Sequence, residues 1–130
     1  MSQFLEPLNV TTEDGETWTV NESMDYEVGA VGSGERIIVP KGTLTDFGSV
    51  PHFLWSFISP IGKATRAFVL HDYLYQIQIY TRLRSDQILL EAMEVLGVGW
   101  LKRHTVYRGV RMGGMFPWNQ HTKELKEKKT

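Results

Sequence analysis

The sequence predicts one α+β domain, with short β-strands in its first third and α-helices in the rest. Up to residue 44, polar and apolar residues alternate in short runs separated by glycine and proline, which is typical of antiparallel strands. From Lys63 onward, apolar residues recur every three or four positions, which is the helical period. The chain has 130 residues, enough for one domain with its own core but not for two ordinary domains. We expect residues 1–120 to form that domain.

The β-rich part is expected over residues 1–44. Pro7 marks an edge or a bend in the first run, and Pro40 with Gly42 forms a turn after the last one. The runs lie at residues 4–10, 17–20, 24–28 and 36–40. Their spacing predicts an antiparallel meander of about four short strands, packed on the helical half.

The helical half is expected over residues 49–114. Ser49 is a candidate N-cap for a short helix with Pro51 in its first turn. Three longer helices follow over residues 63–79, 85–96 and 100–112, and Ser85 is the expected cap of the second. Gly113 and Gly114 end the third helix. Residues 121–130 are strongly charged, and we expect them to form a flexible tail.

Charge and composition exclude several classes of protein. The net charge is −1 at pH 7, so no nucleic-acid partner is expected. The chain has no cysteine, which excludes disulfides and thiolate metal sites. The N-terminus lacks the basic start and apolar core of a signal peptide, and no apolar run is long enough for a membrane span.

Residues 67–75 place a histidine and an aspartate side by side in an otherwise apolar and aromatic run. On a helix, His71 and Tyr75 share one face, and Asp72 points about 100° away from it. Asp86 comes close to His71 if the first two long helices pack antiparallel. A carboxylate on one imidazole nitrogen makes the other nitrogen a better base. In the alternative interpretation, His71 only hydrogen-bonds within a core and Asp86 only favours the helix dipole.

Asp72 is also a candidate ligand for a hard cation beside the imidazole. Ca²⁺ binds several carboxylate and carbonyl oxygens, and the loop at residues 45–51 offers Asp46 and the Phe47 carbonyl. Zn²⁺ is a weaker candidate, with histidine and aspartates as its ligands. In the alternative interpretation, Asp46 caps the turn that leads into the next helix.

Two further groups of residues have open interpretations. The aromatic residues Phe53, Trp55 and Phe57 suit either a surface that faces lipid or a partner, or the core. Arginines give the helical half a basic bias, which suits either a bound phosphate or solvated helix surfaces. These arginines are Arg82, Arg84, Arg103, Arg108 and Arg111.

The ordered motifs of the chain resemble those of DUF1353, a family of phage and prophage proteins without an assigned function. The motifs are Val-Pro-Lys-Gly at 39–42, Thr-Asp-Phe-Gly-Ser-Val-Pro at 45–51, His-Asp-Tyr-Leu-Tyr at 71–75 and Arg-Ser-Asp at 84–86. The likeness runs from about residue 36 to residue 114. It implies a phage or prophage origin.

The His-Asp helix and the Asp86 helix after it also resemble the catalytic helix pair of prokaryotic-type phospholipase A2. By position, the resemblance implies that His71 is the general base, that Asp86 orients it and that Tyr75 supports the network by a hydrogen bond. It further implies that Asp72, Asp46 and the Phe47 carbonyl bind Ca²⁺. In that family the ion polarises the ester and stabilises the oxyanion.

Two hypotheses of function follow. In the first, the chain is a phage-encoded, metal-assisted hydrolase of a phospholipid or another ester, which acts at a membrane surface. In the second, it is a non-enzymatic phage protein, either a virion or assembly component or a binder of a host factor, and the His-Asp motif is structural. Both hypotheses place the protein in the host cytoplasm after synthesis. Under the second hypothesis, the protein can also be part of the virion.

Overall fold

A computed structural model describes residues 3–4, 10–12, 17–29, 34–55 and 63–128. The chain divides into two compact units, residues 1–46 and residues 47–130, which are described one at a time. Antiparallel strands occupy the first unit and helices the second, so the predicted α+β class is confirmed.

The described residues of the first unit form two small antiparallel sheets of three strands each. One sheet has the order β1-β4-β5 and the other has the order β2-β3-β6. The strands are β1 Gln3–Phe4, β2 Val10–Thr12, β3 Trp18–Val20, β4 Met24–Glu27, β5 Arg36–Val39 and β6 Leu44–Thr45. This topology differs from the expected meander, because β1 and β6 pair with strands that are not their neighbours in sequence. The middle of the predicted strand at residues 4–10 lies outside the described residues.

Burial in this unit follows the strand period of two along β5. Ile37 and Val39 are buried, whereas Arg36 and Ile38 are exposed. The central strand β4 is buried at all four positions, including Asp25, whose carboxylate pairs with Arg36 on β5. The apolar side chains of β4 and β5 therefore form the core of this sheet.

In the described residues of the second unit, a 3₁₀ turn at His52–Leu54 precedes four helices. The helices are α1 Thr65–Ile77, α2 Arg82–Val95, α3 Trp100–Gly113 and α4 Met115–Lys128. The three long helices that the sequence predicts are confirmed. Their buried side chains include Phe68, Leu70 and Leu74 on α1, and the predicted stripe of α2 is buried from Ile88 to Met93 at helical spacing.

The ends of three elements differ from the sequence prediction. The cap of α2 is Thr81, whose side chain accepts a hydrogen bond from the Arg84 N–H at 3.1 Å, and Ser85 lies buried in the first turn instead. The expected short helix after Ser49 is only the 3₁₀ turn. Residues 121–128, which were expected to belong to a flexible tail, form the second half of the helix α4.

Contacts with α1 explain why α4 forms. The Trp118 ring packs edge-on against Tyr75, with 5.0 Å between ring centroids. The Gln78 side chain donates to the Trp118 carbonyl at 2.8 Å and accepts from the Thr122 hydroxyl at 3.0 Å. These contacts tie the middle of α4 to the end of α1. In the part of the chain that the structure describes, no helix is long and apolar enough to cross a membrane.

Candidate functional site

His71 lies in the core of the helical unit, and both of its ring nitrogens have a partner. The Nε2 atom is 2.7 Å from Asp86 Oδ1, and the Nδ1 atom is 2.9 Å from the Ser49 hydroxyl oxygen. The ring also packs on Tyr75, one helical turn later, with 4.3 Å between centroids. The side chain is 0% exposed. The predicted proximity of Asp86 to His71 is therefore confirmed, and its catalytic role stays a prediction.

Asp86 is the centre of the network and is also fully buried. Its Oδ1 atom accepts hydrogen bonds from His71 and from the Tyr75 hydroxyl, each at 2.7 Å. Its Oδ2 atom accepts from Arg111 Nη1 at 2.7 Å, and Arg82 Nη1 lies 3.6 Å away. Burial alone would raise the pKa of Asp86, but the hydrogen bonds from His71, Tyr75 and Arg111 hold that pKa below its ordinary value.

Tyr75 joins the network as a hydrogen-bond donor, as expected for its position on the His71 face. Its burial and the adjacent negative charge of Asp86 both favour the neutral phenol and raise the pKa of Tyr75 far above its ordinary value. The phenol therefore stays protonated and keeps donating to Asp86. The expected support of the network by Tyr75 is present in this geometry.

Arg82 connects the network to the end of α3. Its guanidinium donates to the carbonyls of Val110 at 3.0 Å and Arg111 at 3.2 Å. These carbonyls lie in the last turn of α3, where a cation is favoured by the helix dipole. Arg111 hydrogen-bonds the buried Asp86 carboxylate, and Arg82 forms a longer ion pair with it at 3.6 Å.

Asp72 faces the segment of residues 47–55, which we call the Ser49 segment. The Asp72 Oδ1 atom accepts a hydrogen bond from the Ser49 backbone N–H at 3.0 Å and another from the Ser49 hydroxyl. Both side chains are buried. Ser49 thus lies between His71 and Asp72, a position that the sequence interpretation as an N-cap did not anticipate.

The Ser49 segment is held by packing as well as by these hydrogen bonds. Leu54 contacts α3 at Gly109, where a Cβ atom would overlap the leucine side chain. Pro51 lies against Gly113 in the same way. The Trp55 indole N–H donates to the Val50 carbonyl at 3.2 Å. Phe53 is exposed and so does not belong to the core, and Phe57 lies outside the described residues.

The Ser49 hydroxyl has one hydrogen for two acceptors. If it is donated to Asp72, then His71 Nδ1 must itself donate to the Ser49 oxygen, and the imidazole carries a positive charge. If it is donated to Nδ1, the imidazole is neutral, with its own hydrogen on Nε2 facing Asp86. Only the neutral imidazole, with the Ser49 hydrogen donated to Nδ1, can act as a general base.

The residues predicted to bind calcium belong to both units of the chain. Asp46 is exposed and ends the first unit, and Phe47 is buried at the start of the second with φ of 60°. Oδ1 of Asp72 already accepts two hydrogen bonds. Within the described ranges, no group of three or more histidine, aspartate or glutamate side chains could hold a metal ion. The roles of Asp46, the Phe47 carbonyl and Asp72 as calcium ligands stay a prediction.

Fold and site together define a small α+β protein with a buried network of one imidazole, two carboxylates and a serine hydroxyl. The model of one protein family, described as protein of unknown function (DUF1353), matches residues 18–110. The chain therefore belongs to the DUF1353 family. Ser49, His71, Asp72, Tyr75 and Asp86 lie inside the matched region, whereas Arg111 and α4 follow it. Searches of curated proteins and of solved structures gave no match.

Proposed function

We propose that this chain is a hydrolase of a phospholipid or another ester, encoded by a phage, with His71 as its general base. One observation carries the proposal. Asp86 binds the Nε2 side of the ring at 2.7 Å, which leaves Nδ1 directed at a hydroxyl oxygen 2.9 Å away. A general base needs this arrangement, with one nitrogen oriented by a carboxylate and the other within reach of the proton that it removes.

The electrostatics of the network suit proton transfer to His71. Arg111 and Tyr75 keep Asp86 ionised, so the carboxylate can stabilise the imidazolium that forms when Nδ1 takes a proton. Asp72 is a second carboxylate close to the same end of the ring, through Ser49. General-base catalysis of this kind typically contributes a factor of about 10²–10⁴ to the rate.

The site is closed in this structure, because His71 and Ser49 are both buried. We propose that the Ser49 segment moves outward to admit an ester to Nδ1. The opening would release the hydrogen bonds of Ser49 to Asp72 and the contact of Leu54 with α3. Calcium dependence stays part of the proposal through the position of Asp72 next to His71.

The test is ester hydrolysis by the purified chain, measured as fatty-acid release from phospholipid vesicles and as turnover of a small chromogenic ester. Each assay is run with Ca²⁺ and with a chelator. His71→Asn keeps a polar group at the site, and we expect it to abolish turnover. His104→Ala is the matched control, because His104 stacks on Trp100, away from the network, and we expect it to leave turnover unchanged. Equal turnover in the wild type and His71→Asn, with both folded, would contradict the hydrolase.

The complete burial of the network favours a second candidate function. Among the described residues, every buried side-chain nitrogen and oxygen has a hydrogen-bond partner. A network of this kind can have a purely structural role, in which it holds α1, α2 and α3 together. The chain would then be a non-enzymatic phage protein that binds a phage or host protein, and its function would lie on its surface.

Chemical access to His71 separates the two candidates. A small histidine-directed acylating reagent should modify His71 in the native protein if the Ser49 segment opens transiently. Peptide mass mapping would compare His71 with His104 as the accessible reference. Modification of His71 at a denaturant concentration well below the midpoint of unfolding supports the hydrolase. Protection of His71 until the protein unfolds supports the structural role.

A further inference from the structure

Helices α3 and α4 form one nearly continuous helix through Gly114. Gly114 has helical dihedral angles, with φ of −71° and ψ of −11°. Its N–H donates to the Val110 carbonyl at 2.7 Å, and its carbonyl accepts from the Trp118 N–H at 3.0 Å. Both are hydrogen bonds between residues four apart, as in an α-helix. Side-chain positions on α3 and on the start of α4 can therefore be placed on common helical faces.

One face of this helix exposes large apolar side chains. Leu101 is 66% exposed, Met112 is 80% exposed and Phe116 is 73% exposed. At 3.6 residues per turn, these three positions and Arg108 lie within about 80° of one another around the helix axis. We call them the α3–α4 face. Trp100, also exposed, lies at its edge. An isolated exposed leucine is ordinary, but a row of large apolar side chains along one helix face marks an interaction surface.

The same stretch has only positive formal charges. Residues 95–123 contain five basic residues and no acidic residue, although the whole chain has a net charge of −1. Arg111 binds the buried Asp86, and Arg103 donates to the Val98 carbonyl. The other three, which are exposed, are Lys102, Arg108 and Lys123. Exposed cations therefore border or interrupt the apolar row.

We infer that the α3–α4 face binds the surface of an anionic lipid bilayer. A helix with large apolar side chains and exposed lysine or arginine can lie in the interface plane, with its apolar residues among the acyl chains and its cations at anionic headgroups. The charge of residues 95–123 is complementary to acidic lipids.

This surface is separate from the buried network and does not depend on catalysis. Among the described residues, none of the face residues takes part in the hydrogen bonds of His71 or Ser49, and binding needs no turnover. If the chain hydrolyses phospholipids, the face would hold it at its substrate. If the network is only structural, the face would still bring the protein to a membrane.

Vesicle co-sedimentation of the full chain tests the inference. We expect binding to vesicles of phosphatidylcholine with phosphatidylglycerol, and at least about tenfold weaker binding to phosphatidylcholine alone or in high salt. The assays contain a chelator and are repeated with His71→Asn, so that a failure of the proposed hydrolase leaves the binding result unaffected. Binding that is equal for both lipid compositions would overturn the inference.

Surface variants identify the face. The triple variant Leu101→Ser, Met112→Ser and Phe116→Ser, and the double variant Lys102→Glu with Arg108→Glu, should each bind anionic vesicles about tenfold more weakly or not at all. Ile79→Ser is the matched control, because Ile79 is equally exposed but lies after α1, and it should bind as the wild type does. Unchanged binding by both face variants would overturn the inference. So would the absence of vesicle binding together with self-association through the same residues, seen as a concentration-dependent mass that the variants lose.

Discussion

The Asp86 carboxylate accepts a hydrogen bond from His71 Nε2 across 2.7 Å, in a part of the helical unit where both side chains are fully buried. This contact joins α1 to α2, and Arg111 extends it to α3. Three hydrogen-bond donors strongly stabilise the ionised form of this buried carboxylate. The carboxylate in turn satisfies these donors, which would otherwise lack an acceptor at this position.

Asp86→Asn should lower the free energy of unfolding at pH 7 by about 3–5 kcal/mol, because it leaves buried donors opposite a neutral amide. Urea denaturation followed by tryptophan fluorescence measures this change. Glu94→Gln is the matched control, since Glu94 is an exposed carboxylate on the same helix and should change stability by less than about 0.5 kcal/mol. An Asp86→Asn cost as small as that of the control would contradict the central role of this carboxylate.

The pH dependence of stability should report the same group. The pKa of Asp86 is below its ordinary value of 3.8 in the folded protein, so the unfolded chain takes up a proton on Asp86 first as the pH falls. The stabilisation from Asp86 is therefore complete above pH 3.8 and is lost as the pH falls through the lower, folded-state pKa. Urea midpoints measured from pH 6 down to pH 2 should fall less steeply in Asp86→Asn than in the wild type. Parallel profiles would refute this assignment.

Tyr75→Phe should cost about 1.5–3 kcal/mol, the usual contribution of a hydrogen bond to a charged group. Since the pKa of Tyr75 is raised above its ordinary value of 10.0, the unfolded phenol ionises first and wild-type stability should decrease above pH 10. Tyr75→Phe removes this contribution to the decrease. Denaturation between pH 9 and pH 11 measures both effects, with the half-buried Tyr73→Phe as the control. An identical alkaline profile in Tyr75→Phe would show that the phenol does not keep its proton.

Gly114→Ala should lower stability by about 1–3 kcal/mol through overpacking. A Cβ atom at this position would lie 2.5 Å from the Tyr75 hydroxyl and would push it away from Asp86. Gly99→Ala is the matched control, because a Cβ atom there would meet nothing within 4 Å. Thermal denaturation of the two variants gives the comparison. The prediction fails if Gly114→Ala is as stable as the control.

The sequence was sufficient to predict the parts of this fold that depend on local pattern. The periods of two and 3.6 identify β5 and α1 to α3, and the spacing of His71, Tyr75 and Asp86 predicts their proximity through the short connection between α1 and α2. The sequence identified Arg111 only as one of several arginines on the helical half and did not predict its contact with Asp86. Nothing local distinguishes it from Arg108, which is exposed.

The rest depends on contacts that are distant in the sequence. Ser49 lies 22 residues before His71, and a Ser-Val-Pro run predicts a helix cap by local rules. The helix α4 has a charged second half that resembles a frayed tail, and it forms against α1 through Trp118 and Thr122. Strand pairing in the first unit is also non-local, which is why β1 with β4 could not be predicted from the turns alone.

The helical link at Gly114 has a consequence for how the length of this chain can change. Inserting or deleting one residue between α3 and α4 would rotate every later position by about 100° around the helix axis. Trp118 would then turn away from Tyr75 and Phe116 away from Met112, so one event would damage both the interior and the exposed face. Homologous chains that keep both features should therefore vary in length after Lys128 and in the loops of the first unit, and not at this junction.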